Sequence, residues 1–366
     1  MRIPMVDLTV QYRSIRKEID SAVRDVLESG RFIMGPQVTA FEEEMAGYCD
    51  VTYGIGCASG TDGLMMALMA VGVGSGDEVI TIPFTFAATA EVIALLGAKA
   101  VFVDIEPDTY LIDVDKIEKA VTKKTKAIIP VHLYGQSADM DRINALAEEH
   151  KLVVVEDACQ AVGATYKNRR TCNLGEMGCL SFFPSKNLGA YGDGGMVLTS
   201  NETLAKKLRM IRDHGSDRRY HHDILGMNSR LDALQATILR VKMKHIDEWN
   251  EARRDRAALY SELLKGAAVV TPVTEEHNEH VFHQYSIRIK ARDGLRKHLE
   301  DAGVATAIHY PVPLHLQPAF HHFGKGEGSF PVSEEVAREI ISLPMYPELE
   351  EEAIQFIVEK IVEFSG

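Results

Sequence analysis

Positive charge is scarce in this chain: 40 Lys and Arg stand against 53 Asp and Glu, a formal net charge of -13. Binding along a nucleic-acid backbone needs clustered cations, so nucleic acid is excluded as the main partner. An anionic small ligand stays open, because local charge at a site can oppose the global sign. Cysteine is sparse and unpaired. Cys49, Cys57, Cys159, Cys172 and Cys179 form no Cys-x-x-Cys pair, and the odd count favours free thiols in a reducing compartment over a disulfide framework. No stretch reaches about 18 uncharged apolar residues, and the segment from Met1 to Asp7 holds no apolar run of the signal-peptide kind. A cytoplasmic protein with no membrane partner is expected. Internal repeats and low-complexity segments are missing as well.

What is present is ordinary globular material, 46% hydrophobic and 25% charged. At 366 residues it is too much for one ordinary core. Helical periodicity runs over residues 11–29 (Ile15, Ile19, Val23, Val26, Leu27) and 36–48 (Phe41, Met45), with breaks at Gly30 and Gly35-Pro36. From about residue 54 short apolar runs alternate with longer amphipathic stretches. The apolar runs include Glu78–Ile82, Ala100–Val103, Ala127–Val131 and Leu152–Val155, and the helix-like stretches include 87–96 and 139–150. Strands apolar on both faces, alternating with helices, predict a buried and mostly parallel sheet covered by helices. A long helical pattern near 231–264 (Leu231, Leu234, Ile238, Val241, Ile246, Trp249) reads as a connecting helix. The chain is thus expected to divide into a large cofactor-binding domain, 1–245, and a small C-terminal α/β domain, 246–366. The Gly- and His-rich tract from Phe320 to Phe330 reads as a loop, open to movement.

Lys186 sits in the most informative stretch. It follows Gly178–Ser185 and precedes Asn187–Gly195, and a second apolar run, Met196-Val197-Leu198, comes next. Two apolar runs joined by a Gly-rich bend read as two strands and a turn, and the glycines leave room for a ligand. An amine held on such a bend can form a Schiff base with an aldehyde cofactor, the route lysine uses with pyridoxal phosphate. A lysine taken at random in such a bend is simply solvated, so the other needs of that cofactor decide the matter. Asp157 ends an apolar strand, Val153-Val154-Val155-Glu156-Asp157, where a carboxylate can keep a pyridinium nitrogen protonated. Ser59-Gly60-Thr61-Asp62 precedes an apolar helix, and hydroxyls with free N–H groups at a helix start suit a phosphate. A plain helix cap is the competing reading of that motif. Ser181 could add a hydroxyl to the same phosphate. Phe86 follows a strand and can stack on a flat ring, or equally be a core aromatic.

Together these pieces carry a resemblance. Ser181-Phe182-Phe183-Pro184-Ser185-Lys186-Asn187-Leu188-Gly189 closely resembles the lysine motif of the DegT-type sugar aminotransferases, which have the fold type I pyridoxal-phosphate architecture. It is joined, in the family's order, by Ser59-Gly60-Thr61, Pro83–Phe86, Pro130–Gly135, Glu156–Gln160, His214-Gly215 and Asn228-Ser229-Arg230. The resemblance implies an α/β fold with a mostly parallel central sheet. It implies that Lys186 bonds the cofactor, Asp157 pairs with the ring nitrogen, Gln160 lies by the ring hydroxyl and Phe86 stacks on the ring. Gly60, Thr61, Asp62 and Ser181 would hold the phosphate, with Asn228 reaching in from a second subunit, hence a homodimer with shared active sites. One departure is visible: Cys159 stands where the family more often has alanine, which puts a thiol open to oxidation beside the cofactor.

By the same resemblance, glutamate would give its amino group and leave pyridoxamine phosphate as the intermediate form. A nucleotide-linked 3-oxo sugar would then accept the group. The string Asn187–Gly195 looks like that of the 3-oxo-sugar enzymes rather than those acting at C4. The Phe-Phe-Pro-Ser-Lys form is most similar to enzymes that aminate UDP-2-acetamido-2-deoxy-3-oxo-glucuronate for lipopolysaccharide O-antigens. A dTDP-3-oxo-6-deoxyhexose is the alternative acceptor. Arg230 is the candidate partner for a uronate carboxylate, since guanidinium pairs with carboxylate bidentately. A structural ion pair, or a contact with the amino donor's carboxylate, competes evenly with that role. His309 and Tyr310 are candidates to touch the sugar.

Other classes fare worse. Gly54-Ile55-Gly56-Cys57-Ala58-Ser59 lacks the third glycine of a dinucleotide fingerprint. Sugar dehydratases of the same family carry histidine where this chain has Lys186. A non-catalytic regulator on the same fold is disfavoured by the intact Lys186, Asp157 and Thr61. His221-His222 and His321-His322 lack any ligand spacing for a metal.

Overall fold

The computed structural model describes residues 2–365. Its centre is a seven-stranded sheet: β1 (Tyr53–Cys57), β2 (Glu78–Thr81), β3 (Lys99–Phe102), β4 (Thr125–Ile128), β5 (Val153–Asp157), β6 (Met177–Ser181) and β7 (Gly195–Thr199). The strand order is β1-β7-β6-β5-β4-β2-β3. Strands β6 to β3 pair in parallel, while β7 runs antiparallel to both of its neighbours. The expected mostly parallel sheet is what the chain forms.

The reason lies in alternate residues of each apolar run. Val79, Ala127 and Val155 enter one buried cluster with the helix Gly60–Ala70, while Ile80, Ile128 and Val154 enter another on the opposite face. A strand buried on both faces reads as continuous hydrophobicity, as these runs do. The first helix, Leu8–Ser29, starts where Asp7 accepts from the N–H groups of Thr9 and Val10, and stops at Gly30, whose φ of 63° suits a left-handed cap. The next, Pro36–Tyr48, opens on proline.

The long helical pattern near 231–264 is in fact two helices, Ala233–Met243 and Ile246–Leu263, with the break at Lys244-His245. Hydrophobic periodicity carried across the break because Val241 and Ile246 are both buried. Beyond it, the antiparallel pair Tyr285–Arg288 and Ile340–Leu343 packs with the helices Arg292–Asp301 and Glu351–Ser365 around a core of their own. Ile3, at the other end of the chain, belongs to that core, bonded to Gly303 and Ala305. Residues 320–330 combine a turn of 3-10 helix, Pro318–Phe323, with the loop that follows it.

The sheet positions the site. Strands β1, β2, β4, β5 and β6 point their carboxyl ends to one edge, and the chain leaving each of them lines a single cavity of about 370 Å³. That edge is where ligands bind in open α/β sheets.

Candidate active site

Lys186 lies on the connection between β6 and β7, residues 182–194, which is longer than the tight bend its glycines suggest. Its backbone N–H donates to Phe183 and the Asn187 side chain donates to the carbonyl of Val281 and to Asn250, so the loop is fixed from both sides. The close approach of Gly189 to Pro184 explains one glycine: a Cβ there would sit 2.2 Å from the Pro184 carbonyl oxygen. The Lys186 amine lines the cavity. Burial lowers its pKa below the ordinary 10.5, with Cys159 and Asp157 opposing the shift.

Asp157 faces the same cavity from the end of β5. Its carboxylate accepts from the Thr89 hydroxyl at 2.7 Å and from the Cys159 N–H at 3.3 Å. Directly before it, Glu156 is wholly buried and accepts four hydrogen bonds, from His132 Nε2 and from the N–H groups of Cys172, Leu174 and Gly175. The carboxylate that faces away from the cavity thus pins the strand end from which Asp157 projects toward it.

Ser59 caps the helix Gly60–Ala70 by accepting from the Asp62 N–H. Ser59, Gly60, Thr61, Ser181 and Ser185 all line the cavity. Gly60 is required by close packing: a Cβ would come within 2.7 Å of Ser181 Cβ and 2.8 Å of Cys159 Sγ. Phe86 also lines the cavity and is 56% exposed, an open ring face rather than the core aromatic it could have been. Gln160 donates to the Tyr310 hydroxyl at 3.0 Å and accepts from the Tyr134 N–H at 2.8 Å. His309 and Tyr310 close the cavity from the C-terminal part, with His309 Nδ1 on Ser342 Oγ at 2.9 Å. Burial, then the charge of Lys186, pushes the His309 imidazole down to about 4.

Three of the sequence-derived candidates lie outside this cavity. Asp62 turns its carboxylate to the Ser229 hydroxyl at 2.6 Å. Asn228 is exposed, in a bridge with Asp213, and Arg230 pairs with Asp213 at 3.2 Å. The cavity also gathers residues that sequence reasoning passed over, among them Thr85, Thr89, His283 and Gln284. Thr89 belongs to a helix that looked merely amphipathic. His283 lies far along the chain, and no local signal marks it. The Cys159 thiol is held protonated: burial, and next the Asp157 charge, raise its pKa well above 9.0. All five cysteines are free, and among the described residues no metal-ligating cluster and no helix fit to cross a membrane occur.

The donor set fits pyridoxal phosphate. An amine shifted toward its neutral form, a carboxylate with lone pairs to spare, an open aromatic face and hydroxyls at a helix N-terminus share one cavity.

Comparison with known proteins agrees. The profile of the DegT/DnrJ/EryC1/StrS aminotransferase family matches residues 13–362. The chain is 54% identical to a "pleiotropic regulatory protein" of Geobacillus stearothermophilus, covering 100% of this chain and 99% of that one. It is 49% identical to a UDP-N-acetyl-3-dehydro-alpha-D-glucosamine 3-aminotransferase of Acidithiobacillus ferrooxidans, over 96% of this chain and 95% of the other. It is 48% identical to the UDP-2-acetamido-2-deoxy-3-oxo-D-glucuronate aminotransferase of Pseudomonas aeruginosa, over 97% and 98%. Among solved structures, S. venezuelae DesV in complex with a ketimine intermediate superposes with a TM-score of 0.98 at 43% identity, over 100% of this chain and 98% of that one. The architecture is that of fold type I aminotransferases.

Proposed function

The chain belongs to the DegT/DnrJ/EryC1/StrS aminotransferase family, as a sugar aminotransferase that uses pyridoxal phosphate, and from that premise we propose that it moves an amino group from glutamate to the 3-oxo group of a nucleotide-linked sugar. UDP-2-acetamido-2-deoxy-3-oxo-glucuronate is the proposed acceptor, in the building of a surface polysaccharide. The observation that carries the reading is the gathering of Lys186, Asp157, Phe86 and the Ser59–Thr61 turn around one cavity.

When bound, pyridoxal phosphate would supply an aldehyde carbon to carry the amino group between donor and acceptor and a ring to draw electrons from it. In this reading Lys186 takes a proton from Cα of the amino donor and returns it on the far side of the transfer. Its buried amine, with a pKa below 10.5, suits both duties. Asp157, oriented by Thr89 and the Cys159 N–H, would hold a proton on the ring nitrogen. Thr61 and Ser181, with the helix start that Gly60 lets close in, would hold the phosphate, and Asp62, its N–H held by Ser59 and its carboxylate by Ser229, would serve by fixing that helix start. Phe86 would cover the ring face and Gln160 would lie by the ring hydroxyl. His309 and Tyr310, both half-buried at the cavity wall, would meet the sugar.

Asn228, exposed and outside its own cavity, suits a site completed by a second subunit, which supports a homodimer. Arg230 is two positions further on and would reach the uronate carboxylate from the same subunit, in exchange for Asp213. A separate core drawn from residues 257–361, which recruits Ile3, supports a small C-terminal domain, proposed as 246–366 beside 1–245.

Isotope-labelled glutamate offered with the UDP-3-oxo-glucuronate, its C6 alcohol counterpart or a dTDP-3-oxo-6-deoxyhexose tests the assignment by mass spectrometry of the sugar product. Fastest labelling of the uronate, lost in Arg230→Leu, supports it. Preference for a sugar without the carboxylate overturns the uronate assignment, and no transfer to any of them favours the regulator reading.

A further inference from the structure

His283 holds neither cofactor nor substrate in the proposed chemistry, yet its Nε2 lies within hydrogen-bond reach of the Lys186 amine, at 3.5 Å from Nζ. It lines the cavity while being only 6% exposed, and its other nitrogen, Nδ1, is buried without a partner. The segment that carries it is clamped on all sides. Asn187, next to Lys186, donates to the Val281 carbonyl at 2.9 Å, and Arg253 donates to the Phe282 carbonyl at 3.1 Å. The Val281 N–H donates to Gly135, whose φ of 110° and lack of a Cβ let the segment approach; a Cβ there would meet His283 N at 3.1 Å. Phe282 is held at a φ of 42°, in the left-handed region, with its ring stacked on His280 at 3.9 Å. Backbone strain of this kind persists where the surroundings over-determine it, and it concentrates at functional sites.

We propose that His283 is a positioning residue for Lys186, a hydrogen-bond partner that stays with the amine in both of its protonation states. The proposal rests on the lysine-centred reading above. An ammonium can only donate, so towards it Nε2 offers its lone pair and the ring proton resides on Nδ1. Toward a neutral amine the same Nε2 can carry the proton and donate. A histidine whose second nitrogen is fixed by a carbonyl or carboxylate is locked into one tautomer. The unpartnered Nδ1 leaves His283 free to be either. The ring itself stays uncharged, since burial, then Lys186, Arg253 and His309, drive its pKa well below 6.5. Lys186 is also faced by Asp157 and Cys159 from the end of β5, and His309 and Tyr310 share the cavity. None of these is within hydrogen-bond distance of its amine.

The test uses the full-length protein freed of cofactor. Lys186 is labelled with an amine-reactive reagent across a pH series, and the label is located by peptide mass spectrometry. The bond to the charged ammonium is charge-assisted and stronger than the bond to the neutral amine, so His283→Leu costs the ammonium more and the labelling midpoint should fall by about one pH unit. His283→Gln, which can accept and donate but cannot titrate, should restore the wild-type midpoint. In the cofactor-loaded enzyme the leucine variant should lose about 10- to 100-fold in kcat with little change in KM, and glutamine should recover most of it. Equal midpoints in wild type and leucine variant overturn the proposal. Should the leucine variant fail to fold by circular dichroism, a glutamine midpoint displaced by a full unit overturns it alone. Turnover that survives Lys186→Ala would instead sink the lysine-centred function, without touching the labelling result.

Discussion

Replacing Glu156 by glutamine changes one atom in a place where no donor is tolerated. The wild-type carboxylate is fully buried and all of its recorded partners donate: Cys172 N–H at 2.8 Å and His132 Nε2 at 2.9 Å to one oxygen, Leu174 N–H at 2.8 Å and Gly175 N–H at 2.7 Å to the other. The Ala138 N–H donates to His132 Nδ1, so that ring meets Glu156 with a proton on Nε2. Glutamine keeps one accepting oxygen and turns an NH2 group upon the other pair of donors. Two charge-assisted hydrogen bonds are lost, each worth about 1.5–3 kcal/mol, which sums to about 3–6 kcal/mol. Against a total stability of about 5–15 kcal/mol that is a large part. Urea unfolding of the cofactor-free protein, followed by the fluorescence of the single tryptophan, Trp249, and by circular dichroism, measures it. Asp157→Asn is the control, since its neighbours on β5 keep their bonds and its effect should fall on cofactor binding. A loss below about 1 kcal/mol in Glu156→Gln would refute the idea that this carboxylate anchors the strand end.

Three further outcomes are expected. Gly60→Ala forces a Cβ to within 2.7 Å of Ser181 and 2.8 Å of Cys159, so cofactor affinity measured by absorbance titration should drop at least about tenfold, at an overpacking cost of about 1–3 kcal/mol; unchanged affinity would contradict the tight helix approach. His280, driven by burial to about 3, and His283, driven well below 6.5, bind protons more weakly folded than unfolded. Their contribution is therefore complete above about pH 6.5 and is lost on acidification toward the folded values, about 2 kcal/mol by pH 5 from His280 alone and in the same direction from His283; denaturation midpoints that do not move between pH 7 and pH 5 would count against it. The Cys159 thiol, held protonated by burial and Asp157, should resist alkylating reagents at neutral pH, and Cys159→Ala should retain turnover; rapid inactivation that the alanine variant escapes would show the opposite.

Much of this was legible in the sequence, and the physical reasons are specific. Strands buried on both faces, such as Val153–Val155, announce themselves because no polar residue interrupts them. Lys186, Asp157 and Phe86 were legible because each stands at the end of an apolar run, where a parallel sheet delivers its loops to one edge. The break at Lys244-His245 was not, because hydrophobic periodicity resumed in phase beyond it. Nor was the second half of the Asp157 setting. Thr89 and Glu156 matter through the hydrogen bonds they make with partners remote in sequence, and nothing in the local pattern of residues 87–96 singles out a hydroxyl. His283 reaches Lys186 across 97 positions, and only the folding of the C-terminal part against the sheet brings the two together. Arg230 and Asn228 illustrate the reverse: their motif was visible, and a single chain does not bring them into the cavity.

The most direct test of the account is to load the protein with pyridoxal phosphate, reduce it with borohydride and map the cofactor's mass by peptide sequencing. The added mass is expected on Lys186, with none incorporated in Lys186→Ala. Cofactor fixed stoichiometrically on another lysine, or none fixed in the wild type, would contradict it.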